Sequence, residues 1–362
     1  MDEKEFKAQS MRNCFNLKDS GLNFIYSLIF PFLVSFVLAI IFFIFKLDGT
    51  QFEKVVNMAF VPGTFFLIYF LYCRKNNINM IYASQVRLKI NWLKALTVVV
   101  IAVTAVFLVS PMISLIDHLF TFVGYNPKND LPYEMTNVLT FIIGIITMAV
   151  LPAICEELLF RGLILKGVQT KFGPHVSILI SAAMFTLLHG SLQQTVYQFI
   201  LGTLLGYAMY YGKSIIYPIL LHFINNLVVV ITSFVYTLKG IDPNQVSIYT
   251  TLWDYVSPIM WFVIAGCIII GLIYVLQYLD KLQTSDELKA AVKELAEEAK
   301  NTPDEVKLTK KGKNKEIIAS ESNIIDSETT GWTKEEKIIF FGSIGLSIFF
   351  WITNTLMQFL GF

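Results

Sequence analysis

The chain has 362 residues, of which 55% are hydrophobic and 15% charged, and its formal net charge is +1. A mean hydropathy of +0.61 puts it in the membrane class and excludes an ordinary soluble domain. The near-zero charge leaves no broad basic surface for nucleic acid, and the scattered Cys14, Cys73, Cys155 and Cys267 fit neither a disulfide framework nor a zinc ribbon.

A helix needs roughly 20 apolar residues to cross the hydrocarbon layer. The first apolar run, Leu22–Phe45, follows Lys4, Lys7, Arg12 and Lys18 and is longer than the core of a secretory signal, so a retained membrane helix is expected. Further spans are predicted at Val56–Cys73, Leu93–Ile116, Val138–Ile154, Val176–Leu188, Thr195–Tyr211, Ile215–Tyr236, Ser257–Leu279 and Ile338–Phe362. The period-2 alternation of a barrel is absent, and open strands leave backbone groups unsatisfied in lipid. The fold class is therefore all-α, a polytopic membrane helix bundle of about nine spans with a small soluble insertion. Residues 1–135 form N-terminal membrane helices, 136–236 a core bearing polar motifs, and 237–280 a further span. Residues 281–337 form the charged insertion and 338–362 a last helix. The expected location is integral and multi-pass, in the cell membrane.

Arg74, Lys75, Arg87, Lys89 and Lys94 crowd the second loop and read as cytoplasmic. This orients the N-terminus inward, the loop Asp117 to Glu134 outward, and the C-terminus outward. In the insertion, Leu288, Val292, Leu295 and Ala299 have helical spacing, and Thr284 with Glu287 predicts a capping box. A basic run (Lys310, Lys311, Lys313, Lys315) and a Ser/Glu/Asp-rich stretch of disordered composition follow. A solvated linker is the favoured reading of this part, ahead of a contact with lipid headgroups.

Three polar clusters interrupt the apolar core: Glu156-Glu157 with Arg161, Phe185 with His189, and His222 with Asn225-Asn226. Ionisable residues in such surroundings are costly unless they face an interior or a water-filled cavity. If helices flank the Gly173-Pro174 turn, Glu156 and His189 both lie roughly 22–26 Å from it, and His222 lies roughly 13 Å past Lys213. These depths permit one shared site. The first motif either continues the fourth span across Pro152 or stands apart from it; proline tolerates both.

Peptide hydrolysis needs an activated nucleophile, a proton donor for the leaving nitrogen and donors for the oxyanion. There is no serine elbow and no His-Glu-x-x-His pair. Desolvation makes a carboxylate a stronger base, so Glu156 with His189 could activate a water. His222 and Asn226, one helical turn apart, could aim donors at an oxyanion. The spacing of Glu157 and Arg161 favours a pair on the helix surface, leaving Glu156 freer. Cys155 reads as an apolar filler, and His118 and His175 as surface residues.

The order Glu-Glu-x-x-x-Arg, Phe-x-x-x-His and His-x-x-x-Asn resembles the CPBP intramembrane metalloprotease-like family over roughly Val138 to Tyr236. That family includes type II CAAX prenyl endopeptidases (Ras-converting enzyme) and relatives linked to bacteriocin immunity. The resemblance implies that Glu156 and His189 activate the water and that His222 and Asn226 stabilise the transition state. Glu157 and Arg161 would hold the first motif in shape. It implies a glutamate mechanism with no cofactor and no metal, acting on a membrane-tethered peptide or protein whose apolar tail enters from the lipid bilayer. Two alternatives stand beside it. His189, His222 and Glu156 could form a His₂Glu zinc set, or the chain could be a non-catalytic scaffold, immunity factor or transporter. The residues give neither a substrate sequence nor an oligomeric state.

Overall fold

The computed structural model describes residues 15–47, 50–87, 89–125, 135–241, 251–300 and 331–360. Among the described residues there is no strand, and nine long helices follow one another: α1 Leu17–Ile44, α2 Gln51–Lys75, α3 Trp92–Thr121, α4 Val138–Val168, α5 Pro174–Leu188, α6 Leu192–Gly212, α7 Ile216–Lys239, α8 Leu252–Lys300 and α9 Lys334–Leu360. Seven of them, all except α5 and α6, are long and apolar enough to cross a membrane. The all-α membrane bundle therefore stands, with seven spans by this measure against the nine expected. The 15 residues of α5 rise only about 22 Å, short of the roughly 30 Å hydrocarbon layer. In α6, Gln193, Gln194 and Gln198 dilute the apolar character.

Two helices change pitch where their sequence demands it. α3 and α4 open into π turns at Ala105–Val109 and Ile145–Val150, immediately ahead of Pro111 and Pro152. Proline has no N–H, and its ring crowds the carbonyl four residues back; a widened turn relieves both without breaking the helix. α4 thus continues across Pro152 and carries the first motif within its length. Because it ends at Val168 rather than at Gly173, Glu156 lies about 18 Å from that end, His189 about 22 Å along α5, and His222 about 9 Å along α7.

One end of the bundle gathers the links. Leu165, Ile178, Met209 and Ile215 cluster there with Val86. Lys166 donates to the Ala83 carbonyl, and the Arg87 N–H donates to Ser214 Oγ at 3.2 Å. Asp280 of α8 comes to the same end, 3.1 Å from Lys94 and 3.4 Å from Lys213. Lys18 pairs with Glu335 and Lys171 with Glu336, so α1 and α9 start here and run parallel.

Small residues let backbones approach where lipid offers no hydrophobic drive between helices. A Cβ on Gly206 would lie 2.6 Å from Ile178, and one on Gly202 3.1 Å from Ala182, so α5 and α6 meet closely. A Cβ on Gly167 would lie 2.4 Å from the Asn16 carbonyl oxygen, where α1 crosses α4. Phe24, Tyr69, Phe160, Phe185 and Phe340 fill the adjoining core. Phe32, Phe36 and Phe43 remain exposed on α1, as a lipid-facing surface requires.

Several local expectations are corrected. Lys94 is fully buried inside α3, donating to the Tyr211 carbonyl at 2.9 Å, and is not a loop residue. Asp117 to Thr121 belong to α3 rather than to an external loop, and His118 is half-buried, its Nε2 3.4 Å from the Tyr255 hydroxyl. His175 is exposed at the start of α5, as expected. No helix starts at Thr284: α8 runs unbroken through it, and its hydroxyl bonds back to the Asp280 carbonyl at 2.9 Å. The basic run and the Ser/Glu/Asp-rich stretch lie outside the described residues. A capping box does form between Thr333 and Glu336, at the start of α9.

Candidate active site

The site begins in α4, where Phe160–Ile164 forms a second π turn, this one without proline. π turns are frequent at functional positions. Arg161 lies in it and is among the largest fully buried side chains of the described residues. One guanidinium nitrogen reaches back one turn to Glu157 Oε1 at 3.0 Å, and another donates to the Gly202 carbonyl of α6 at 2.9 Å. The guanidinium carbon lies 4.8 Å from the Phe185 ring centroid, a cation–π contact. The Glu157–Arg161 pair expected on a helix surface exists, but in the interior.

Glu157 Oε1 has a second partner. His222 Nδ1 lies 2.9 Å from it, which turns His222 Nε2 toward Glu156, 4.0 Å from Oε2. Glu156 is 9% exposed, and this buried Oε2 has no hydrogen-bond partner among the described residues. Arg161, Glu157, His222 and Glu156 are thus one connected set drawn from α4 and α7. The link from His222 to Glu157 spans 65 positions and was not anticipated from spacing.

His189 closes α5, half-buried, with Nδ1 2.8 Å from the Phe185 carbonyl oxygen. This bond fixes the ring and leaves Nε2 as its working nitrogen. His189 makes no hydrogen bond to Glu156 among the described residues. Phe185 joins the two histidines, its ring centroid 4.7 Å from that of His189 and 5.9 Å from that of His222. The chain turns at Gly190, whose φ of +57° suits glycine, and a Cβ there would lie 2.5 Å from Asn354 Nδ2 of α9. Asn226 follows His222 by one turn of α7 and is half-buried; its Oδ1 accepts from Asn225 Nδ2 at 3.1 Å. Asn225 Oδ1 in turn accepts from the Tyr197 hydroxyl of α6. Tyr197 and Gly202 are neighbours of the site that sequence reasoning missed, because each acts through a contact between helices.

Residues 138–228 match the family described as type II CAAX prenyl endopeptidase Rce1-like. This segment is similar to the CAAX protease family. The match spans about a quarter of the chain, taking in α4 to the middle of α7 and every side chain of the connected set. No curated protein and no solved structure matches the chain. At the family level this likeness supports an intramembrane peptidase, and the seven apolar helices place the matched segment in a multi-pass membrane protein.

A zinc centre would need His189, His222 and Glu156 to converge. Among the described residues, no three His, Cys, Asp or Glu side chains are grouped so as to hold a metal ion. His222 Nδ1 is committed to Glu157 and His189 Nδ1 to a carbonyl. Both histidines keep Nε2 as the nitrogen left for a ligand. Cys155 is buried beside Glu156 as a free thiol.

Proposed function

We propose that this protein is an intramembrane endopeptidase that hydrolyses a peptide bond of a membrane-associated peptide, lipidated peptides included, with a water activated by glutamate. The observation that carries this reading is the buried, unpartnered Oε2 of Glu156 facing His222 Nε2. An acceptor in that setting can hold a water and take its proton. The attacking oxygen bonds to the scissile carbonyl carbon, the carbonyl oxygen becomes the oxyanion, and the abstracted proton passes to the leaving nitrogen. His189 would share in orienting the water through Nε2. Asn226 and His222 would supply the oxyanion donors, His222 through Nε2 in its doubly protonated form, since its Nδ1–H is given to Glu157. Arg161 does no chemistry in this scheme; it fixes Glu157, and through it His222.

The test uses a fluorogenic lipidated peptide set and purified protein, each reaction run with and without a strong chelator. Wild type is expected to cleave in both conditions. Glu156→Ala is expected to lose activity by at least about 100-fold, the scale on which a general base contributes. Cleavage abolished by the chelator would overturn the glutamate mechanism, as would full activity of a folded Glu156→Ala protein.

A further inference from the structure

We propose that Tyr197 and Asn225 are positioning residues that set which end of the Asn226 amide faces the reacting centre. This rests on the proposed role of Asn226 as an oxyanion donor. An Asn side chain has two faces of opposite character, a carbonyl oxygen that accepts and an NH₂ group that donates. Only the NH₂ group can stabilise an oxyanion, and a free amide can rotate the wrong end inward. Here rotation is controlled by a chain of bonds with a direction.

The Tyr197 hydroxyl donates to Asn225 Oδ1, and Asn225 Nδ2 donates to Asn226 Oδ1 at 3.1 Å. The Asn226 oxygen is thereby occupied, and its NH₂ group is the end left to meet substrate. A reversed chain, with Asn225 donating to Tyr197 and accepting from Asn226, would free the phenolic proton. The Tyr197 hydroxyl has no other acceptor among the described residues, so the reversed chain forfeits its one donated hydrogen bond at this half-buried position. Tyr197 therefore fixes the sense of the whole relay. Its geometry is well supported: Tyr197 and Asn225 come from adjacent antiparallel helices, α6 and α7, joined by the tight link at Lys213–Ile215. Asn225, the middle of the relay, is 4% exposed, and Tyr197 and Asn226 at its ends are half-buried.

The experiment is a double-mutant cycle on the full-length protein in detergent, with a fluorogenic prenylated CAAX peptide as probe. Tyr197→Phe removes the donor and keeps the ring; Asn225→Asp replaces the donor to Asn226 with an acceptor. Each is expected to lower kcat on the order of tenfold at unchanged KM, part of the ~100-fold or more that loss of an oxyanion donor costs. In an Asn226→Ala background the same substitutions should have no further effect, because no amide remains to orient. Undiminished losses in that background, or a rise in KM alone, would overturn the relay. Full activity of Asn226→Ala would instead overturn the role of Asn226 itself, a distinct result. Melting temperature checks that Tyr197→Phe, the milder variant, is folded; if Asn225→Asp does not fold, Tyr197→Phe decides alone.

Discussion

Arg161 is a charged residue in a place where charge is expensive, and its neighbours explain how it is tolerated. Glu157, the Gly202 carbonyl and the Phe185 ring supply charge, hydrogen bond and quadrupole within one enclosed volume. Removing one partner of such a pair leaves the other buried and uncompensated, at about 3–5 kcal/mol. Arg161→Ala is therefore expected to lower stability by about that amount, read from unfolding in detergent micelles. The double variant Glu157→Leu with Arg161→Met should recover much of the stability but not the peptide cleavage, since His222 loses the carboxylate that orients it. Wild-type melting of Arg161→Ala would remove the structural role assigned to this pair. The pairing of Glu157 with Arg161 was legible from a four-residue spacing. The His222–Glu157 bond was not, because no local rule relates residues on separate helices, and only packing of α4 against α7 creates it.

At the level of elements, the helices were legible wherever an apolar run was long, and their limits were misread wherever tertiary contacts overrode local signals. Thr284 with Glu287 has the sequence of a capping box, yet a helix already under way leaves no free N–H groups to cap. Lys94 reads as a loop cation, but the Tyr211 carbonyl and Asp280 receive it within the bundle. Pro152 permitted either of two readings of α4, and the π turn ahead of it decides for continuity. Glycines give the sharpest test of these contacts. Gly167→Ala pushes a Cβ to 2.4 Å from the Asn16 carbonyl oxygen that caps α1, which cannot move like a flexible side-chain tip. A loss of roughly 1–3 kcal/mol is expected from such overpacking. Gly63→Ala in α2 meets nothing within 4 Å and should be neutral or slightly stabilising through helix propensity. Equal melting shifts for the two variants would refute close α1–α4 packing.

For the whole molecule, the ion pairs at one end order the topology. α1 and α9 start together, beside the α4–α5 turn, the α6–α7 link and Asp280. The positive-inside tendency assigns this lysine-rich end to the cytoplasm. Cysteines introduced at Asn76 and Gly331 should therefore be protected from a membrane-impermeant thiol reagent in intact cells. One at Lys239, at the far end of α7, should be labelled. Labelling of the first two but not the third would invert the assignment.

α8 does not stop where its apolar part stops. Its 49 residues make a rod of about 74 Å, well beyond the roughly 40–45 Å of a whole bilayer with its headgroups. The 20 residues after Asp280 alone project about 30 Å, pivoting where Lys94 and Lys213 grip that carboxylate. With an arm of that length, each ten degrees of tilt at Asp280 would swing the tip by roughly 5 Å, so small changes of angle inside the bundle would be large displacements outside it.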